Sequence, residues 1–417
     1  MNQNNFITIN HSKYMIYDIV FFLILGIVAG TFTGLIPGIH VNLISVLLIT
    51  FSPILLKFTT PIPLGIFIIA MAITHTFVDS IPSIFLGAPD ADMALGVLPG
   101  HKLLLEGKGF EAVKLTVIGS LLALLATIVI IPFITPLIPF IFNFISPHMG
   151  YLLVAVVIFM ILNEKKPKKI SWAFFVFLIS GILGIIVLNW PNLEQPLFSM
   201  LSGLFGVSTL VISLTQKAVV PKQQFTETIQ IKTKEKLKAI GAAVFSGSLT
   251  GLMPGLGAAQ AAIIAMQIVG DIGAYPFMIL LGGINTVNFT FSLVTLYTIG
   301  RPRNGAVVAV LDLVKTITLD QLILFLIAAV IAGAIATIIT LKLAKVFAKV
   351  MEKINYQAVC ISIILFILAI AFYFSGFTGL LIIITSTAVG MIPALIGVKR
   401  SHAMGCLMLP VILFFLL

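Results

Sequence analysis

His75 and Asp79 stand four residues apart in an apolar stretch, so on a helix they share one face, one turn apart. An imidazole beside a carboxylate can carry a proton near neutral pH, and a carboxylate at membrane depth is a natural ligand for a monovalent cation. Further along lie Asp90 and Asp92, just after Gly87-Ala-Pro89. These four residues form the candidate set for a coupling ion or proton. Arg301 and Arg303 follow Gly300 at nearly the same place in a second copy of this pattern. Opposite charges at matching positions allow two readings. Either they pair across a pseudo-twofold axis as a gate, or the arginines bind an anion while the aspartates take the cation. Solvated loop charges are the structural alternative for all four. Asp18 and Asp271 sit at segment ends, where capping or solvation is expected.

The elements that would position these groups are broken helices. Gly26-x-x-x-Gly30-x-x-x-Gly34-Leu35-Ile36-Pro37-Gly38-Ile39-His40 recurs downstream as Gly247-x-x-x-Gly251-Leu252-Met253-Pro254-Gly255-Leu256-Gly257. Glycines four apart give one helix face a smooth stripe that another backbone can approach. The following Pro-Gly stops the helix partway across the membrane. A helix restarting there presents unpaired N–H groups and about half an elementary positive charge, which suits an anion. The candidate anion-binding set is therefore Gly38, His40, Asn42, Gly255, Gly257, Gln260, Asn285, Asn288, Arg301 and Arg303. His40 can be a proton-sensitive ligand or can simply bond a neighbouring carbonyl. The asparagines and Gln260 are equally readable as ties between helices. A second matched pair supports the repeat, because the segment His75 to Pro89 aligns without gaps to the segment Asn288 to Pro302, each ending in Gly-x-Pro.

Composition fixes the environment. Of the 417 residues 60% are hydrophobic and 9% charged, against about 25% charged in soluble domains, so the chain is expected to be an all-α polytopic membrane protein. About fourteen apolar segments can be counted, of which ten to twelve are expected to be full crossings. The net charge of +10 does not point to nucleic acid, since the lysines lie in short loops between apolar segments and mark cytoplasmic faces. Residues 1–13 lack the basic start and short apolar run of a cleaved signal peptide, so the first span is expected to stay. Cys360 and Cys406 lie in apolar runs and suggest neither a disulfide nor a metal site. No cofactor is expected beyond Na+ or H+ as coupling ion.

The longest polar stretch divides the chain into a membrane repeat over 15–214, a cytoplasmic linker over 215–236 and a second repeat over 237–417. The lysine clusters at 165–169, 342–353 and 399–400 fall on the linker's side by crossing parity, which places the N-terminus extracytoplasmically. Seven segments per half would invert the second copy relative to the first. That inverted-repeat pattern with paired helix breaks is the sequence pointer to a transporter's binding site.

At these residues the chain resembles the TctA family, the large membrane subunit of tripartite tricarboxylate transporters. The likeness rests on Gly-x-Leu-x-Gly-x-x-Pro-Gly-like segments in both halves, closest at Pro254-Gly255-Leu256-Gly257-Ala258-Ala259. It extends to Pro99-Gly100-His101-Lys102 through Glu111-Ala112. Ile39-His40-Val41-Asn42 stands where the family shows a glycine and a proline. Gly300-Arg301-Pro302-Arg303-Asn304 replaces a segment similar to Gly-Ile-Pro-Gly-Ser. The resemblance implies a permease for a di- or tricarboxylate working by alternating access, with a small membrane subunit and an extracytoplasmic binding protein as partners, and it leaves a homodimer open. Two other classes are open to such a chain. A membrane enzyme would need clustered carboxylates or a histidine-rich metal site, a spacing this sequence lacks. A polyprenyl-phosphate carrier is the alternative transporter, with Arg301 and Arg303 suited to its phosphate.

Overall fold

The computed structural model describes residues 3–36, 41–88, 91–164, 166–191, 193–215, 220–253, 256–270, 272–353 and 355–417. Among these the chain is helical and contains no strand. The first half comprises α1 (Gln3–Leu35), α2 (Val41–Leu55), α3 (Pro61–Val78), α4 (Val97–Leu105), α5 (Gly109–Ile134), α6 (Ile138–Ile145), α7 (Met149–Leu162), α8 (Pro167–Leu188), α9 (Pro196–Leu201) and α10 (Ser208–Thr215). The second comprises α11 (Thr233–Leu252), α12 (Ala258–Val269), α13 (Ala274–Ile299), α14 (Gly305–Val314), α15 (Leu319–Met351), α16 (Tyr356–Ile396) and α17 (Gly405–Leu416). Eight helical segments among the described residues are long and apolar enough to cross a membrane. One of them, Gly109–Leu162, joins α5 to α7, and α16 is itself interrupted at Gly376. Shorter apolar helices supply the remaining segments. Large apolar side chains such as Phe133, Phe140, Tyr373 and Phe377 stand exposed on the flanks, where a soluble protein would carry charge, so the chain is a multi-pass membrane protein. The helices α4 and α14 were not anticipated from sequence. Each is short and follows a Gly-x-Pro break.

The two glycine stripes make the same contact in each half. A Cβ built on Gly30 or Gly34 would strike Thr74 or Val78 of α3, and one on Gly247 or Gly251 would strike Val287 or Phe291 of α13. The glycines differ by 217 positions (30 to 247, 34 to 251) and their partners by 213 (74 to 287, 78 to 291), so α1 lies on α3 as α11 lies on α13. The breaks match as well. Gly87 and Gly300, also 213 apart, both cap their helices in the left-handed region, at φ 63 and ψ 21 and at φ 65 and ψ 18, a conformation in which a Cβ would clash. Before Gly87 the helix relaxes into a π-helical turn over Pro82–Leu86, because proline cannot donate to the ladder.

The halves interlock through further close approaches. Gly119 of α5 meets the Ile279 carbonyl and Gly282 of α13 meets the Thr116 carbonyl, while Gly184 of α8 meets the Cys406 carbonyl at the start of α17. Ser120 Oγ donates to the Gly282 carbonyl at 2.9 Å. Cys360 and Cys406 are both buried as free thiols.

The polar stretch between the halves is docked onto the helical bundle. Gln223, buried, accepts from the Gly109 backbone N–H at 2.9 Å and donates to the Leu104 carbonyl at 3.1 Å, and its own backbone N–H donates to Glu352 at 2.7 Å. Glu111 accepts from Thr226 Oγ1 and from the Tyr275 hydroxyl, the latter at 2.5 Å. Gln223→Ala would leave the Gly109 donor unsatisfied, at about 1–3 kcal/mol, while the Leu104 carbonyl would keep the Gly107 N–H at 3.0 Å. The expected results are a lower thermal midpoint in detergent and faster proteolysis within 220–232. Wild-type protection of that stretch in the variant would show that the glutamine does not hold it down.

Candidate functional site

Where α1, α3 and α13 meet, a polar cluster is enclosed in apolar packing. His75, Thr76 and Asp79 come from α3 and its C-terminal residue, Thr33 from α1, and Asn285 and Thr286 from α13, all of them buried. Asn285 Nδ2 donates to Asp79 Oδ2 at 2.7 Å. The Thr76 and Thr286 hydroxyls share a hydrogen bond of 3.1 Å, and His75 Nδ1 lies 3.1 Å from Thr33 Oγ1. The local cause is the glycine stripe. With no side chain at Gly30 and Gly34, α1 approaches α3 closely enough for Thr33, between them in sequence, to reach His75.

Asn285 falls near the middle of the 26-residue α13, roughly 17 Å from its start at 1.5 Å per residue, so the Asp79 carboxylate, at the C-terminal cap of α3, meets α13 near mid-length, where an apolar span would put it at membrane depth. A carboxylate there costs about 2.5–3.5 kcal/mol on insertion scales. A charge-assisted hydrogen bond returns about 1.5–3 kcal/mol. The two nearly cancel, which makes stability a poor reason for the residue to be there and binding of a cation or proton a good one.

The other sequence-selected residues scatter. Gly38, His40, Gly255 and Asp90 lie outside the described residues, as do the side chains of Asn42 and Asp92. The gate between aspartates and arginines therefore lies outside the described residues on its acidic side. On the basic side, Arg301 and Arg303 hold their guanidinium carbons 5.5 and 5.1 Å from the Phe142 ring centre, the geometry of cation–π contact. Burial, with Arg301 alongside, pushes the Arg303 guanidinium below its usual range. Both follow the end of α13, 16 and 18 positions beyond Asn285 in sequence. Gln260 caps α12, its Oε1 accepting from the Gly257 N–H at 3.0 Å, a bond within the first turn of one helix and not a tie between helices. Asn288 is half-buried and turns its backbone carbonyl toward Gly251. Asp18 lies inside α1 and accepts from Thr59 Oγ1 at 3.2 Å, a tie to the α2–α3 turn rather than the cap expected of a segment end, and Asp271 lies outside the described residues.

A second feature escaped the sequence. A cavity of about 850 Å³ opens where the ends of α7 and α12, the start of α13, and residues 399–401 converge. Phe159, Phe205 and Phe277 line it, with Asn163, Gln267, Lys399, Arg400 and Ser401 as its polar residues. Arg400 is 9% exposed and donates from Nη1 to Thr209 Oγ1. In sequence Arg400 served only as a marker of membrane side, and no local signal set it apart from the adjacent Lys399. The surrounding loops are pinned. Glu164 accepts from the Lys399 N–H and from His402 Nε2, each at 2.9 Å. Burial by itself would raise the Glu164 carboxyl, but the Lys399 N–H and His402 outweigh it and hold the group below the usual carboxylate range. Among the described residues no group of three or more His, Cys, Asp and Glu could hold a metal ion.

The chain has recognisable relatives. The family described as "Tripartite tricarboxylate transporter TctA family" matches residues 20–405. An uncharacterized protein of Methanocaldococcus jannaschii is 30% identical over 359 residues, which is 84% of this chain and 88% of that protein. No solved structure matches.

Proposed function

Since the chain belongs to the tripartite tricarboxylate transporter TctA family, we propose that it is a secondary active permease for a small organic anion of the di- or tricarboxylate class. A sodium or proton gradient drives it, and the two halves are inverted repeats that alternate access to a site between them. The observation that carries this reading is the Asp79–Asn285 contact, in which a buried carboxylate from one half meets an amide from the other. A group shared by both halves feels their relative movement, which is what coupling an ion to alternating access requires. Asp79 and His75 hold the coupling ion or proton. The helix ends after Pro37-Gly38 and Pro254-Gly255 supply N–H groups for the anion, and Asn285 and Asn288 add neutral hydrogen bonds. Arg301 and Arg303, beyond the end of α13, attract the anion to the mouth of the pathway. A small membrane subunit and an extracytoplasmic binding protein are the partners that family membership suggests, and the linker and lysine-rich loops face the cytoplasm.

The test is uptake into proteoliposomes holding the purified chain, with citrate and smaller dicarboxylates offered under imposed sodium or proton gradients. Accumulation that follows one gradient and collapses with it is the expected result. If no carboxylate accumulates even after the partner subunits are added, the carboxylate reading fails.

A further inference from the structure

The cavity beside Arg400 shares no lining residue with the His75, Asp79 and Asn285 cluster, and the two differ in chemistry. Its wall is mostly apolar, with Phe159, Phe205 and Phe277 among aliphatic side chains, and a single deeply buried cation stands at one side. Among the described residues Arg400 meets a threonine hydroxyl and no carboxylate, and its Nε has no hydrogen-bond partner. Gln267 Oε1, which also lines the cavity, has none either. Glu164, which holds the neighbouring loop, is committed to Lys399 and His402. A buried guanidinium is costly without a counter-charge; none meets Arg400 among the described residues, and the space next to it is large enough to admit one.

We propose that this cavity is a binding site for an amphiphilic anion, whose charged head pairs with Arg400 and Lys399 and whose apolar body lies against Phe159, Phe205 and Phe277. The cation demands an anionic head, and a guanidinium fork takes carboxylate or phosphate oxygens in pairs. The mostly apolar wall demands that the rest of the molecule be apolar, because a second or third charge would lie against hydrocarbon. A tricarboxylate does not fit that division. Two sources share the chemistry: a free monocarboxylate with an alkyl or aryl body, and a lipid-borne phosphate. The site stands on geometry alone and does not depend on the transport reading.

Its test is equilibrium binding without any gradient, by calorimetry on the full chain in neutral-lipid nanodiscs, with empty nanodiscs subtracted. The probes are acetate, hexanoate, octanoate and octyl phosphate, with citrate as competitor. Affinity should rise about threefold to fourfold per methylene from acetate to octanoate. Arg400→Gln should weaken octanoate binding at least about tenfold, and Met266→Trp should do the same by filling the cavity with the guanidinium in place. If Arg400→Gln does not fold, Met266→Trp carries the test. Citrate should fail to displace octanoate. Tighter binding of octyl phosphate than of octanoate assigns the site to a lipid phosphate, and the reverse assigns it to a free carboxylate. Binding that ignores chain length, that survives both substitutions, or that citrate abolishes would overturn the proposal.

Discussion

Asp79→Asn is expected to yield a folded, membrane-inserted protein whose gradient-driven anion uptake falls about 10- to 100-fold, the loss that matches one charge-assisted hydrogen bond at about 1.5–3 kcal/mol. The fold should tolerate the change because asparagine has the same shape and still pairs with Asn285, now as two neutral amides. Only the charge disappears. If Asp79 holds the coupling ion, downhill exchange of substrate across the membrane should suffer less than accumulation against a gradient. Asn285→Ala should give a milder version of the same split, since it removes the partner and leaves the carboxylate. Accumulation by Asp79→Asn indistinguishable from wild type, at equal protein in the vesicles, would rule the residue out as the coupling site.

A second large effect is expected from a change that touches no polar group. Gly119→Val should abolish recovery of monodisperse protein, because even the first added carbon would lie 1.9 Å from the Ile279 carbonyl oxygen. That neighbour is backbone in the second turn of α13, so it cannot rotate away as a side chain would. The cost should reach or exceed the upper end of the about 1–3 kcal/mol usual for overpacking. Gly282→Val should fail for the reciprocal reason, its Cβ lying 2.1 Å from the Thr116 carbonyl oxygen. Gly241→Ala on α11 is the control, since nothing lies within 4 Å of its added carbon. There alanine should be neutral or stabilising by about 0.5–1 kcal/mol. Thermal melts of the three variants after the same extraction decide the matter, and equal loss in Gly241→Ala would mean that intolerance of side chains is general rather than confined to the α5–α13 contact.

Both expectations join the two halves, and that is what the linear pattern could and could not convey. The repeated glycine stripe and the paired breaks are legible because each is a backbone property: only glycine permits the close approach at Gly34 and Gly251 or the left-handed caps at Gly87 and Gly300, and only proline removes a donor from the ladder. Such requirements are local, so they survive in the order of residues, and with composition they determined a helical membrane protein built on a duplicated broken-helix motif. Which polar groups meet was decided elsewhere. His75 and Asp79 were readable as a pair because four residues make one helical turn, whereas the Asp79–Asn285 contact spans 206 positions and exists only because α3 and α13 cross at that level. Arg301 and Arg303 look like an anion trap in sequence, yet the crossing leaves them over Phe142 at the end of a helix. Arg400 looks like one more loop cation until its own segment and four others line a cavity beside it. Sequence determined the elements, because their causes lie within a few residues of one another. Tertiary structure alone decided the sites, because a buried charge takes its meaning from whatever distant groups are packed against it.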